Sequence, residues 1–395
     1  MSLVSVEAAR AAMLAAVRAP QSEQATLAAA LGRVLAQPVR AARDQPPFRA
    51  ASMDGYAARR VDLPGPLTLA GRSVAGAGYL APLQPGEAVR IFTGAPVPAA
   101  ADVVVPQEQA EAAGAAVRLA AGPESFIRAV GGDFRAGAAL LEAGVRLDPW
   151  RIALLAASGA DEIAVAPRPE VLVLTGGDEL AGPGANPGPF QIFDSAGPAV
   201  AARADMLGAR VRHGPRLPDR LDAAVEGLRT AAADVIVAIG GASVGESDLL
   251  RPAARSLGAE LLVEGVAVRP GRPTWFARFP DGRLLLGLPG NPASALVCAE
   301  LFLRPLLLAM QGADAALPLL SARLGADLPA NGPREQWMRA RVSFTAGLLE
   351  VFPDEEQDSG WTGVFARAHA LVRRPAQAPA AAAGALTEAL LLERL

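Results

Sequence analysis

The sequence predicts a multidomain α/β protein built around a doubly wound α/β domain. Between residues 169 and 312, short apolar runs alternate with helical patterns, the order expected when helices cover both faces of a parallel sheet. Three glycine-rich loops, 175–180, 240–248 and 288–292, each follow one of those apolar runs. The flanking sequence adds an N-terminal helical and β region with an inserted β module, and a small C-terminal β domain.

The regions outside the α/β domain are predicted from where the pattern changes. Helical patterns at 6–17 and 27–35 give way to short β-like runs punctuated by glycine and proline, and a helical pattern returns at 147–158. The β module is therefore predicted to be an insertion, and strands are predicted again near the C-terminus. The predicted regions are a linker and helical domain at 1–46 and 133–167, an inserted mostly β domain at 47–132, the α/β domain at 168–315 and a C-terminal β domain at 316–395.

Composition limits the classes of partner. The chain has 395 residues, 51% of them hydrophobic, which is enough for several buried cores, and its formal charge is only −3. A broad basic field is lacking, so nucleic acid is not an expected partner. The most apolar stretch, 284–310, is interrupted by proline, glutamate and arginine, and the N-terminus lacks a signal-peptide pattern. We therefore expect no membrane partner and a cytoplasmic location.

Metal-binding side chains are few. Cys298 is the only cysteine and lies in an apolar helical pattern, which favours a small core residue over a nucleophile. Only two histidines are present, so a bound metal would take oxygen ligands, which favours Mg²⁺ over Zn²⁺. The candidate ligands are Asp178 and Glu179 in the first glycine-rich loop and Asp248 in the second. The alternative for Asp178 and Asp248 is a helix N-cap.

Basic and backbone groups at the same predicted sheet edge favour an anionic ligand. Arg269 and Arg272 flank a Pro-Gly turn, and two guanidinium groups there could bind phosphate or molybdate bidentately; the alternative is a surface turn. The loops themselves expose backbone N–H groups near helix starts. The candidate binding residues of these loops are Thr175, Gly240, Gly241, Ser243, Gly245, Pro289, Gly290, Asn291 and Pro292.

Three further polar residues lie beside glycines outside the α/β domain. They are Asp54, Thr93 and Asp133. Each alone is typical of a turn, and no spacing rule connects them to the α/β site.

The ordered motifs resemble those of the molybdopterin molybdenumtransferases, known as MoeA in bacteria and as the gephyrin E-domain in animals. The resemblance extends over nearly the whole chain. The motifs are Ser52-Met-Asp-Gly-Tyr-Ala57, Thr93-Gly-Ala95, Gly132-Asp133, Thr175 to Leu180, Asp194-Ser195, Gly240 to Asp248, Arg269 to Pro273, Gly287 to Pro292 and Arg339-Ala340.

The resemblance implies a molybdopterin-binding-like α/β domain and an elongated homodimer with a composite active site. Asp54, Thr93 and Asp133 of one subunit would then face the α/β domain of the other, with Glu179 as the principal catalytic residue. The implied reaction cleaves adenylylated molybdopterin with Mg²⁺ and molybdate, giving molybdenum cofactor and AMP. Transient contact with molybdopterin adenylyltransferase or with molybdoenzymes is implied as well.

Two other functions remain open from the sequence. This chain departs from the family pattern at Gly176, Ala196 and Gly265, where the family commonly has a threonine, an asparagine and a lysine. A non-catalytic cofactor-binding scaffold is therefore one alternative. Molybdopterin adenylyltransferase is the other, because its fold resembles the α/β domain, although the additional regions at both ends argue against it.

Overall fold

The computed structural model describes residues 3–120, 122–240, 249–345 and 347–392. The chain divides into two compact units, each described here by itself. The first unit comprises Met1–Glu23, Gly32–Ala36 and Ala164–Leu395, and the second comprises Gln24–Leu31 and Gln37–Ile163.

The first unit contains a six-stranded α/β sheet. Five of these strands run in the same direction and Trp275–Arg278 is antiparallel to both of its neighbours, so the sheet is mixed, as large α/β sheets often are. The strands in spatial order are Arg210–His213, Glu170–Thr175, Val235–Ile239, Leu284–Leu288, Trp275–Arg278 and Glu260–Val263.

Alternate residues of the central strands pack into two separate cores. Val171 and Val173 belong to one buried cluster, and Leu172 and Leu174 belong to the cluster on the opposite face. Side chains alternate between the two faces of a strand, so the two clusters lie on opposite faces and cover both of them. Central strands covered on both faces are apolar at consecutive positions, as observed here. The predicted fold class is confirmed. The helices of this unit are Val6–Ala15, Ala196–Met206, Leu221–Thr230, Leu250–Ser256, Pro292–Cys298, Arg304–Met310 and Thr362–Arg367, with a π-helical turn at Ala299–Leu303.

The continuous helix Pro292–Met310 passes a length and hydropathy test for a membrane span, with a mean hydropathy of 1.7. The structure buries 78% of this window inside the protein, and its side chains belong to the larger core cluster of the α/β domain. Its apolar character is thus accounted for by packing against the sheet.

The C-terminal part of the first unit is a small β-barrel. Glu335–Thr345 pairs with Leu348–Pro353 on one side and with Ala370–Arg374 on the other. This second pairing closes the five strands into a ring, so the sheet has no free edge strand. The parallel strand Val268–Arg269, which comes from the α/β domain, extends this sheet by pairing with Glu335 and Gln336. The barrel strands are Leu319–Leu324, Glu335–Thr345, Leu348–Pro353, Ala370–Arg374 and Leu386–Leu391.

The second unit is organised around its own six-stranded sheet. Its strands in spatial order are Val103–Pro106, Gly55–Ala58, Glu87–Ile91, Gly65–Ser73, Ala116–Leu119 and Ala110–Ala113. Two strand pairs and one helix complete it: Ala50–Ala51 with Ile127–Arg128, Val39–Arg40 with Ala139–Leu141, and Pro149–Ala157. Short strands at Glu23–Thr26 and Glu162–Val165 lie where the chain passes between the units. The helix predicted at 147–158 is present as Pro149–Ala157; it begins with a proline in its first turn, and Asp148 caps it.

Two local predictions were wrong. The pattern at 27–35 is not a helix: only Leu27–Ala29 forms a 3₁₀ turn, and Leu35 instead forms an extended bridge with Val165. The first glycine-rich loop does not lead directly into a helix, because the short strand Leu180–Ala181 follows it and pairs with Ile192–Phe193. An N-cap role for Asp178 is therefore excluded.

Candidate active site

The site lies where the order of the parallel strands reverses. From Glu170–Thr175 the chain passes to Arg210–His213 on one side and then to Val235–Ile239 on the other. Ligands bind in the crevice outside the carboxyl ends of strands at such a switch point. Here the crevice is narrow at its base: Gly176 N–H donates to Ile239 O at 2.9 Å, and a Cβ on Gly240 would lie 2.5 Å from Gly176 O.

A cavity of about 750 Å³ opens at this edge. Its lining comes from three strand ends of the α/β sheet, from the arginine turn at 269–273 and from the barrel. The residues predicted from sequence that line it are Glu179, Gly240, Arg269, Arg272, Pro289, Gly290, Asn291 and Pro292.

Several acidic residues line the cavity, among them Glu179 and Asp219. The carboxylate of Glu179 is exposed and folds back over Gly177, so that a Cβ there would lie 2.7 Å from Oε1. Asp178 is not among the lining residues. Its backbone N–H donates to Asp219 Oδ2 at 3.4 Å, and its Oδ1 accepts the backbone N–H of Asp219 at 3.3 Å. Asp219, which sequence reasoning missed, lines the cavity.

The guanidinium groups of Arg269 and Arg272 lie on exposed side chains that line the same cavity. Within the described part of the chain, neither forms an ion pair or a side-chain hydrogen bond. Two uncompensated cations at one cavity favour an anionic ligand that could accept bidentate hydrogen bonds.

Buried groups support this arginine turn from below. Gly271 has φ +120°, and a Cβ there would overlap with the Sγ of Cys298. Thr274 Oγ1 donates to Gly271 O at 2.7 Å and lies within hydrogen-bond distance of Cys298 Sγ, at 3.2 Å. Burial raises the pKa of the Cys298 thiol to about 12, so the thiol is neutral and acts as a packing group. The predicted core role of Cys298 is confirmed.

The third loop is fastened to the barrel. Asn291 Nδ2 donates to Ser359 Oγ at 2.8 Å, and Ala293 N–H donates to Ser359 O at 2.9 Å. Ser359 lines the cavity together with the barrel residues Arg334, Gln357 and Asp358. Sequence reasoning missed these four because they lie in a polar segment and a strand start that carry no glycine-rich motif.

Thr175 and Asp194 lie close together beside the cavity, and both side chains approach Gly197. Thr175 ends its strand, is buried and is not among the lining residues. Asp194 lines the cavity, and its Oδ1 accepts the Gly197 N–H at 2.9 Å at the start of the helix Ala196–Met206. The motif Asp194-Ser195 was noted only as part of the family resemblance, and its capping geometry explains why an aspartate suits this position.

The second unit contains the other predicted catalytic residues. Asp54 Oδ1 accepts two hydrogen bonds from Thr93, one from the backbone N–H at 2.7 Å and one from the hydroxyl at 2.8 Å. These bonds hold the pKa of the Asp54 carboxyl below its ordinary value, with a further contribution from the Arg90 guanidinium. Asp133 is exposed, and its backbone N–H donates to Gln45 O at 2.9 Å.

Arg90 also braces the backbone around Asp54. It donates to Gly55 O at 3.0 Å and to Gln107 Oε1 at 2.6 Å, and Gln107 N–H in turn donates to Asp54 O at 3.0 Å. The guanidinium lies 4.9 Å from the ring centres of both Tyr56 and Phe92. Asp54 and Thr93 are thus held together by contacts on both sides.

Replacing Thr93 by valine is expected to raise the pKa of Asp54 towards its ordinary value, because the hydroxyl bond is lost while the backbone bond remains. A carboxyl group whose pKa is lower in the folded than in the unfolded state stabilises the fold at pH values above its unfolded-state pKa. This contribution is lost as the pH falls through the pKa of the folded state. The variant should therefore lose less stability on acidification than the parent. Carboxyl titration by NMR measures the shift directly, with the exposed Thr68→Val as the control. An unmoved Asp54 titration would contradict this account.

Four predicted residues lie outside the described residues: Gly241, Ser243, Gly245 and Asp248. Within the described ranges, no group of three or more His, Cys, Asp or Glu side chains is arranged to hold a metal ion. The described acidic residues that line the cavity, Glu179, Asp194, Asp219 and Asp358, therefore do not form a preassembled cage.

Comparison with protein families defines the class of this fold and site. Residues 4–159 match the MoeA N-terminal region (domain I and II), residues 172–309 match the "Probable molybdopterin binding domain", and residues 321–392 match the MoeA C-terminal region (domain IV). The cavity described above thus lies between regions matched by the second and third of these families.

Individual relatives agree over most of their length. A molybdopterin molybdenumtransferase of Nostoc is 36% identical over 83% of this chain and 79% of its own, and one of Staphylococcus epidermidis is 31% identical over 92% and 89%. The crystal structure of a molybdopterin biosynthesis MoeA protein from Pyrococcus horikoshii superimposes with a TM-score of 0.82, at 29% identity and full coverage of both chains. The chain belongs to the molybdopterin molybdenumtransferase (MoeA) family and is a transferase of molybdenum cofactor biosynthesis.

Proposed function

We propose that this protein inserts molybdenum into molybdopterin, cleaving adenylylated molybdopterin in the presence of Mg²⁺ and molybdate to give molybdenum cofactor and AMP. The main support is the cavity at the switch point, where Glu179 and Asp219 share a lining with Arg269 and Arg272. The substrate pyrophosphate and molybdate are both oxyanions, which uncompensated guanidinium groups bind well. A volume of about 750 Å³ is in the range of small-molecule sites.

The donors present fit Mg²⁺. It binds proteins through one or two carboxylates and completes its coordination with water and substrate phosphates, so a cage of three or more side chains is not needed. Glu179 and Asp219, with Asp178 beside them, would hold it, and Asp248 remains a predicted ligand. When bound, Mg²⁺ would stabilise negative charge on the pyrophosphate.

The chain's own residues would bind and orient the reactants. Arg269 and Arg272 would hold the oxyanions, and the turn at Pro289 to Asn291 would offer backbone N–H groups to the terminal phosphate. The exposed carboxylate of Glu179 is free to act at the pyrophosphate, because it has no hydrogen-bond partner of its own among the described residues.

A homodimer with a composite active site is part of the proposal. Asp54, Thr93 and Asp133 of one subunit would complete the site of the other. The hydrogen bonds that keep Asp54 ionised support a role in which a charged carboxylate is required.

The direct test is incubation of the purified protein with adenylylated molybdopterin, Mg²⁺ and molybdate, with AMP followed by chromatography. We expect molybdate-dependent AMP release. A protein that binds the substrate without releasing AMP would instead be a scaffold. Formation of adenylylated molybdopterin from molybdopterin and ATP would identify an adenylyltransferase.

Replacing Arg269 or Arg272 by alanine is expected to raise the molybdate concentration needed for half-maximal AMP release by about tenfold or more. Loss of a hydrogen bond to a charged group costs about 1.5–3 kcal/mol, and the exposed side chains contribute little to folding. The control is Arg278→Ala, because Arg278 is also exposed but pairs with Glu260 and does not line this cavity. An unchanged molybdate dependence in both variants would reject the oxyanion role.

A further inference from the structure

Two arginines are direct neighbours on the six-stranded sheet of the second unit. In the register of this sheet, Tyr56 is the partner of Arg90, and Arg90 is in turn the partner of Arg72. Residues that are partners in register point to the same face of a sheet, so the two guanidinium groups lie side by side on one face. Arg90 is half-buried and Arg72 is exposed.

An aromatic ring contacts both cations. The guanidinium of Arg72 lies 5.5 Å from the ring centre of Phe92, and that of Arg90 lies 4.9 Å from the same centre. Phe92 directly precedes Thr93, whose hydroxyl and backbone N–H donate to Asp54. The pair of arginines therefore lies at the end of the sheet that presents Asp54 and Thr93.

The two arginines differ in how their donors are used. Arg90 donates to Gly55 O at 3.0 Å and to Gln107 Oε1 at 2.6 Å, so its position is fixed by the protein. Within the described part of the chain, Arg72 forms no ion pair and no side-chain hydrogen bond. The planar fork of N–H donors on Arg72 is therefore available to a ligand.

Stability alone does not account for two neighbouring cations at this place. Like charges on directly neighbouring strand positions repel each other, and the oxygens that accept from Arg90 belong to a carbonyl and an amide, which carry no formal charge. Asp54 is the carboxylate that Arg90 attracts, but its Oδ1 already accepts two hydrogen bonds from Thr93. An oxyanion bound at Arg72 would relieve the repulsion and accept the unused donors.

We propose that Arg72, with Arg90 beside it, forms an oxyanion-binding site on the second unit, and that its ligand is a phosphate group of the substrate bound in the α/β cavity of the partner subunit. The proposal rests on the function proposed above, in which Asp54 and Thr93 at the same sheet end complete the partner's site. It gives the second unit a substrate-binding role in addition to the carboxylate of Asp54. Phosphate and pyrophosphate groups are the expected ligands, because they accept bidentate hydrogen bonds from a planar guanidinium.

The same sheet offers a matched control. Arg118 is also exposed and lies in the strand Ala116–Leu119. Its partners in register are Pro66 on one side and Glu111 on the other. Arg118 thus has an acidic neighbour across the strands where Arg72 has a basic one.

The first readout is independent of turnover: calorimetry measures the binding of inorganic pyrophosphate in the presence of Mg²⁺. Arg72→Gln should raise the dissociation constant at least about tenfold, because charge-assisted hydrogen bonds are lost, and Arg118→Gln should stay within about twofold of the parent. Arg72→Lys should fall between the two, because it keeps the charge and loses the planar fork. Equal affinity of the parent and Arg72→Gln, including no binding by either, would overturn the proposal.

Sedimentation of the same variants separates a ligand site from a contact between subunits. Arg72→Gln should leave the dissociation constant of the dimer within about threefold of the parent value. A clearly weaker dimer would assign Arg72 to an ion pair with the second subunit, and a monomeric parent would lack the partner's cavity. Either result would overturn the proposal.

Kinetics distinguish this proposal from the function on which it rests. Arg72→Gln should raise KM for adenylylated molybdopterin about tenfold and leave kcat for AMP release within about threefold, because the phosphate is held equally in the ground state and in the transition state. A lower kcat with an unchanged KM would overturn the binding role. A parent that binds pyrophosphate through Arg72 but releases no AMP would contradict the proposed function and support the oxyanion site.

Discussion

Replacing Glu179 by glutamine is expected to reduce AMP release from adenylylated molybdopterin at least about a hundredfold while the protein remains folded. Glutamine keeps the shape of the side chain and removes its charge, so any role in holding a cation or acting at the pyrophosphate is lost. Folding should be unaffected within about 0.5 kcal/mol, because the carboxylate is exposed and has no partner among the described residues. AMP chromatography and thermal unfolding measure the two properties on the same sample.

The exposed Glu111→Gln, in the sheet of the second unit, is the control for a generic loss of charge. Parent-like AMP release by Glu179→Gln would refute the catalytic role. Mixing Glu179→Gln subunits with Asp54→Asn subunits extends the test, because a composite dimer would regain one intact site per mixed pair. Two inactive variants that remain inactive after mixing would argue that Glu179 and Asp54 do not complement each other across subunits.

Replacing Gly271 by alanine is expected to destabilise the first unit by about 3 kcal/mol or more and to disrupt the arginine turn. The left-handed backbone at φ +120° disfavours any side chain, at a cost of about 1–3 kcal/mol, and the new Cβ would overlap with the buried Sγ of Cys298. Denaturant unfolding measures the loss, and the molybdate dependence of AMP release measures the displacement of Arg269 and Arg272.

A double-mutant cycle separates the two causes. Cys298→Ala removes the atom that the new Cβ would strike, so Gly271→Ala combined with Cys298→Ala should cost less than the sum of the single variants, by about 1 kcal/mol. The remaining loss would report the backbone conformation alone. If the stability losses of the two single variants simply add in the double variant, the overlap between the new Cβ and the Cys298 thiol does not contribute to the loss in Gly271→Ala. That result would contradict the explanation by steric overlap.

The α/β sheet was predictable because its chemistry is repeated along the chain. Runs such as Val235–Ile239 are apolar at every position, as a strand covered on both faces requires, and glycines follow them where loops must approach one another. The same logic placed Glu179, Arg269 and Asn291 at one edge, and all three line the cavity. Strand ends of a parallel sheet converge whatever the details of the connections.

What the sequence did not reveal depends on local geometry and on distant contacts. Asp178 and Glu179 are neighbours with the same chemistry, and only the conformation of the loop places Glu179 at the cavity and turns Asp178 towards Asp219. The strand Trp275–Arg278 was missed because prolines flank it closely, a pattern typical of loops. Ser359 lies in a polar segment, so only the packing of the barrel brings it to the site.

The strand Val268–Arg269 gives the arginine turn a mechanical connection. Its ladder with Glu335 and Gln336 attaches Arg269 to the barrel, although the chain on either side of the turn belongs to the α/β domain. A rocking motion of the barrel would therefore carry this guanidinium with it and change its distance from Glu179, which is anchored to a different sheet. An oxyanion bound at Arg269 would restrain that motion, and binding would then stabilise the first unit by mass action.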